Sequence, residues 1–239
     1  MRSTWVIAKR EFRSFFDSPI AYVAITVFLI ITGVLFFLAD DFFAANEATL
    51  RPLFEWVPLI FVFYMPAISM RLLSEERRSG TFELLITMPI REHEVILGKY
   101  LAALGFLVVT LLLTLPYPII VAAVGTPDWG PMIGGYFGLF LVGAVYLGVG
   151  LMTSAWTHNQ IISFVLALLI NGFFYFIDKL IGVVWAGTRD VFAYLSFDQH
   201  FQTISRGVID TRNLVFYVSL SAASVLIASY SLRRRLWKG

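Results

Sequence analysis

The chain of 239 residues is 59% apolar and only 14% charged, with a mean hydropathy of +0.80 and a net charge of +2. These proportions leave little polar chain to wrap a soluble core, exclude barrel and dinucleotide-binding α/β folds, and supply too little positive charge for a nucleic-acid partner. With no cysteine, disulfides, thiolate catalysis and Cys-based metal sites are excluded too.

Residues 1–19 are charged and lack the short apolar core and small-residue cleavage site of a secretory signal, so the first span is expected to act as an uncleaved insertion signal. Trp5, Ala8, Phe12, Phe15 and Phe16 recur near helical spacing, opposite Lys9, Arg10, Arg13 and Asp17, the pattern of an interfacial helix. It serves either as a positive-inside anchor or in a regulatory or partner-binding role. Ser18 is placed to cap the next helix and Pro19 to begin it, which turns the chain into the bilayer.

Six apolar stretches follow, at 20–39, 53–73, 100–124, 131–156, 161–177 and 214–232. The first is twenty residues without a charge, about 30 Å of helix, which matches the hydrocarbon core. Pro58 and Pro66 predict a kink or tilt in the second, and Pro116 and Pro118 lie in the outer part of the third. The turn Gly125 to Gly130 makes a hairpin of the third and fourth. Thirteen Lys/Arg fall on the side that holds both termini and the 74–99 loop, and five on the other, so the termini and that loop are expected in the cytoplasm. The fold class is an all-α membrane protein of six transmembrane helices in one domain, 1–239.

Polar chemistry concentrates in RLLSEERRSGTFELLITMPIREHEVILGKY, from Arg71 to Tyr100. Glu75, Glu76, Arg77 and Arg78 extend the second helix beyond the membrane, Gly80 stops it, and Thr81 caps a short helix that Pro89 ends. Phe82, Leu84, Leu85, Ile86 and Met88 make that helix apolar although it lies in a charged loop. It either docks in a groove of a protein partner or packs on the membrane surface and the chain's own helix ends. Burying two leucines and a phenylalanine contributes about 1.5 to 3 kcal/mol each before ordering costs.

Further along, Gly134-x-x-x-Gly138 and the Ala144-to-Gly148 repeat permit close helix approach, more for internal packing than for dimerisation. Asn171 needs an interhelical partner or faces a path. Asp178 and Lys179 close the fifth span, more often as headgroup anchors than as a proton relay. The outer 178–213 region holds two apolar pieces, 180–186 and 192–195, too short to cross, which suggest re-entrant helices. Phe197, Phe201, Ile204 and Val208 recur at helical spacing, with Gly207 as a stop. His93, His158 and His200 fall on three different loops and give no metal site, and no residue constellation suggests catalysis.

EERRSGTFELL, TMPI and VILGKY, together with the N-terminal helix, the six-span layout and SFDQHFQTISRGVIDTRNLVFYVSLS, resemble the ABC-2 type permeases of ATP-binding cassette exporters, especially the gliding-motility-associated branch. The resemblance implies that the short helix is a coupling helix seated in an ATPase subunit. Thr81, Phe82, Glu83, Leu84 and Leu85 would make the contact, Glu75, Glu76 and Gly80 lead into it, and Pro89, Gly98 and Lys99 return the chain to the third span. Relatives carry a capping Ser or Thr where this chain has Arg91. The resemblance also makes this outer region, with Phe197, Phe201, Ile204 and Gly207, an outer gate; the alternative is a structural cap over the helix ends.

No G-x-x-x-x-G-K-[ST] occurs, so ATP and Mg would be bound by a partner ATPase, with two copies expected. A second permease chain, identical or related, is implied, with an accessory membrane or periplasmic protein as a further candidate. The expected place is the bacterial plasma (inner) membrane. The functional expectation is a non-catalytic permease subunit of an exporter. The alternatives are a membrane anchor for an ATPase-driven motility or envelope-assembly machine and, less well matched, a secondary transporter or channel, for which midplane charges and internal repeats are missing.

Overall fold

The computed structural model describes residues 2–39, 49–80, 91–180, 195–208 and 210–236. Among them there are helices and turns and no strand. In chain order these are α1 (Arg2–Asp17), α2 (Pro19–Val34, continued by a π-helical turn Leu35–Ala39), α3 (Arg51–Ser69), α4 (Arg71–Arg78), α5 (Glu92–Leu112), α6 (Pro116–Val124), α7 (Trp129–Trp156), α8 (Gln160–Leu180), α9 (Phe197–Ser205) and α10 (Thr211–Leu236). Among the described residues six stretches are long and apolar enough to cross a membrane, and they overlap the six read from the sequence. The third crossing helix starts earlier than Tyr100, at Glu92, because the acidic first turn of α5 suits the positive end of a helix dipole.

Local signals act where expected. Ser18 Oγ accepts from the Ile20 amide at 3.4 Å, and Pro19 opens α2. Gly80 and Gly207 adopt left-handed φ values of 71° and 87° just past their helices, a conformation that costs any residue with a Cβ. At Arg91 the missing cap is replaced from within: the Glu94 carboxylate accepts from the Arg91 amide at 3.4 Å, the reciprocal half of a capping box. Pro58 and Pro66 both stay inside α3. The interruption comes at Met70, whose φ −56° and ψ −28° remain helical, so α4 resumes after a single residue.

The long α7 is the post on which the rest assembles. Of its crossing segment 78% is buried, against 28% for the first, fifth and sixth spans, so it sits at the centre while they present apolar faces outward. It packs against α3, α5, α8, α9 and α10. In lipid no hydrophobic force separates helix from solvent, so close van der Waals fit and interhelical hydrogen bonds must hold the bundle. Both are supplied. A Cβ on Gly150 would meet Ser69 Oγ at 1.7 Å, and one on Gly135 would meet the Phe54 ring at 2.3 Å, so α3 lies directly on α7. The Tyr100 hydroxyl donates to Ala144 O at 3.0 Å, and the Asn171 amide donates to Tyr146 O at 3.5 Å, which gives the lone amide of the fifth span an interhelical bond.

Gly150→Val should therefore lower stability by about 1 to 3 kcal/mol through overpacking. Thermal unfolding in detergent checks this, and adding Ser69→Gly should recover most of the loss because it empties the opposing space.

Candidate functional site

Three stretches of chain meet where α4 ends and α5 begins. Glycines on α5 bring α1 in: a Cβ on Gly98 would lie 2.7 Å from Ile7 Cγ2 and 3.1 Å from Thr4 O, and one on Gly105 would lie 3.0 Å from the Phe12 ring. Phe15 and Phe16 complete the contact on Phe106, with ring centroids 5.2 and 5.9 Å apart. The closeness of α1 at Gly98 places Glu11 beside the next residue of α5. Lys99 Nζ donates to Glu11 Oε2 at 3.0 Å and to Glu76 Oε1 at 2.8 Å.

The Lys99 side chain is 1% exposed, and the two carboxylates 17% and 19%. An ammonium this deeply buried is tolerated only when paired. Arg10 reinforces the cluster by donating to the second oxygen of Glu11 at 2.8 Å. Burial pushes the Glu11 carboxyl up, but the neighbouring Lys99 charge and the hydrogen bonds from Arg10 and Lys99 outweigh it, so its pKa lies below the ordinary value of 4.5.

A second fastening lies one helix turn above. The interruption at Met70 leaves first-turn amides of α4 to be satisfied from outside, and Ser154 of α7 does so. Its Oγ accepts from Leu73 N and Ser74 N, both at 3.0 Å, and donates to Met70 O at 2.9 Å. Ser74 Oγ also donates to Met70 O. The chain that leads into the 81–90 segment is thus pinned to the central post, and the chain that leaves it is clamped to α1.

Of the residues expected at the coupling loop, Glu76, Gly98 and Lys99 come together here, Glu75 is exposed on α4, and Gly80 ends that helix. Thr81, Phe82, Glu83, Leu84, Leu85 and Pro89 lie outside the described residues. Sequence reasoning missed Glu11. On the expected apolar side of α1, Ala8 is buried and Phe12, Phe15 and Phe16 pack on α5, while Trp5 is 69% exposed; Ile7, which the aromatic spacing did not mark, is buried against Gly98. A carboxylate four residues after Ile7 and four before Phe15 was the available signal.

At the other end of the bundle, Phe197, Phe201 and Ile204 are buried on α9, which lies on the glycines of α7. A Cβ on Gly138 would meet the Phe201 ring at 2.9 Å, and one on Gly134 would meet Ile204 O at 2.3 Å. His200 Nδ1 and Asn213 Oδ1 are 2.7 Å apart, the His200 ring stacks on Phe216 at 4.1 Å, and the Tyr217 hydroxyl donates to Phe197 O at 2.7 Å. The four residues expected to gate are thus packed against α7 and α10. The expected short helices at 180–186 and 192–195 fall almost entirely outside the described residues, as do the side chains of Asp178 and Lys179.

Among the described residues, five membrane-capable helices around a sixth that forms a glycine-lined post, with a buried ion cluster at one end, define a multi-pass membrane protein. A family model described as ABC-2 family transporter protein matches residues 5–232, and the chain belongs to that family. Its members are non-catalytic membrane subunits that pair with an ATP-binding cassette ATPase. Among curated proteins, none matches the chain in sequence.

Two outcomes test the cluster. Lys99→Met should cost about 3 to 5 kcal/mol, because it leaves two carboxylates facing each other without their cation; adding Glu11→Gln and Glu76→Gln should return most of it, read as unfolding midpoints. The pH dependence follows from the lowered Glu11 pKa. Its contribution is fully present above the ordinary 4.5 and is lost as the pH falls through the lower folded value. The unfolding midpoint in detergent should accordingly lose the Glu11 contribution only below about pH 4.5, read as the difference between the native chain and Glu11→Gln across a pH series.

Proposed function

We propose that this chain is the permease subunit of an ATP-driven exporter and that the 81–90 segment is its coupling helix, held in the cytoplasm for a separate ATPase. The observation that supports this reading is the Lys99 cluster. It joins the residue five positions before the segment to the residue nine positions after it, and joins both to α1. A force applied to the segment cannot be absorbed by slack on either side; it passes into the second and third spans together. Closure of an ATPase dimer on ATP and Mg would tilt α3–α4 and α5 as one body and alternate access along a path between two permease chains. Two ATPase copies, a second permease chain and a bacterial inner membrane with cytoplasmic termini complete the assembly.

The same mount would serve a machine that does mechanical or assembly work on the envelope. The resemblance of the segment 196–221 to gliding-associated permeases supports that reading, and a transport assay separates the two.

Leu84→Asp with Leu85→Asp should abolish ATPase association, since two carboxylates would be buried unpaired in the groove, while membrane insertion is unchanged. Co-purification with the ATPase, alongside a membrane-fraction blot, reads both arms; retention of the ATPase and of its stimulation by this chain would overturn the assignment.

A further inference from the structure

Between the elbow where α1 turns into α2 and the interruption where α3 becomes α4 lies a cleft of about 190 Å³. It is small beside the roughly 300 to 1,000 Å³ of pockets that enclose whole drug-sized molecules. One wall is apolar and belongs to the first turns of the first span and the last turns of the second: Ile20, Ala21, Ala67 and Ile68. The other is polar, with Ser14, Ser18, Arg71 and Glu75. It shares Glu11, Ser14, Arg71, Leu72 and Glu75 with a neighbouring space of about 400 Å³ that reaches Lys99. The cleft therefore straddles the level at which the apolar spans give way to charged chain.

Its charges are not all spoken for. Lys99 and Arg10 are neutralised by Glu11 and Glu76. Arg71 has a buried Nε without a hydrogen-bond partner among the described residues. Glu75 stands one helical turn further on the same face of α4, and no ion pair joins the two among the described residues. A buried guanidinium N–H left unmade is costly, and a guanidinium presents a fork that matches phosphate. A cation and an anion that line one cleft without pairing complement a zwitterion whose opposite charges are a few bonds apart.

We infer that this cleft binds the headgroup of a phospholipid carrying a phosphodiester and a primary ammonium, with the phosphate on Arg71 and the ammonium on Glu75. The glycerol end of the lipid lies along Ile20, Ala21 and Ile68, and Ser14 and Ser18 flank the headgroup. A lipid seated there wedges α1–α2 against α3–α4, beside the Lys99 cluster. The shared chemistry is phosphoethanolamine, and the membrane is its source because the apolar wall has no use for a free soluble zwitterion.

Native mass spectrometry of the purified full chain tests this, with phosphatidylethanolamine, phosphatidylcholine and phosphatidylglycerol of identical acyl chains added in turn. Phosphatidylethanolamine should be retained best, since the quaternary ammonium of the choline lipid cannot donate a hydrogen bond and the glycerol lipid has no cation. Arg71→Gln should weaken its retention about tenfold, and Glu75→Gln should remove its advantage over phosphatidylglycerol. Ser14→Phe, which keeps every cleft charge and plugs the mouth, should lower retention of all three, and exposed His93→Gln should change nothing. Equal retention of the three lipids by the native chain, or unchanged preference in both Arg71→Gln and Glu75→Gln, would overturn the site. Displacement of the lipid by soluble phosphoethanolamine at equal concentration would overturn the membrane as its source.

Discussion

A lysine ammonium cannot be taken out of water alone, and the burial of Lys99 therefore dictates the company it keeps. With the side chain 1% exposed, both Glu11 and Glu76 have to be within reach, and they are reached from two other segments of chain, 88 and 23 residues away. That requirement ties α1 to α4 and α5 more tightly than apolar packing would, because lipid competes with helix for every aliphatic side chain and does not compete for a charge. Replacing such a cluster by well-fitted apolar residues is often neutral or stabilising, so its value here lies in specifying which segments meet.

The glycine at position 98 and the lysine after it form a single device. Without a Cβ at 98 the two helices close to the distance at which Glu11 meets the amine; with one, Ile7 and the Thr4 carbonyl would have to retreat. The serine at 154 performs the matching task on the incoming side, where it takes two amides and a carbonyl at a place where α3 cannot continue smoothly into α4. Main-chain groups at the level of the membrane boundary have few other partners, so a single hydroxyl fixes both the direction and the register of α4.

Much of this architecture was legible in the residue string. The six spans are read from length and hydropathy alone, because the hydrocarbon core imposes a length and forbids unpaired backbone. Ser18, Gly80 and Gly207 also declare themselves, since capping and left-handed φ depend on one or two neighbours. What lay hidden is whatever depends on distance along the chain. Glu11 was not marked by the pattern read in α1, and only the fold sets it against Lys99. Ile7 fell outside the aromatic spacing of α1, and the close approach at Gly98 buries it. Arg91 looked like a broken cap, and Glu94 mends it from three residues away. Lys99 itself was marked by the resemblance of its motif, with no indication of the carboxylates that hold it.

The two ends of the bundle are built on different chemistry, and the difference bears on movement. At the α9 end the contacts are aromatic rings on glycines and two short hydrogen bonds, between His200 and Asn213 and from Tyr217 to Phe197 O, all within elements that lie on α7 and α10. Such contacts slide or part at the cost of packing and two hydrogen bonds. At the α1 end similar packing on Gly98 and Gly105 is joined by a buried ion cluster, which links chain segments that enter and leave a single loop. In the coupling role proposed for the 81–90 segment, an impulse delivered to that loop would meet the ion-paired joint first and the softer one last, so that displacement would accumulate at the far end of α7. The proposed permease would then be rigid where force enters and compliant at the opposite end of the bundle.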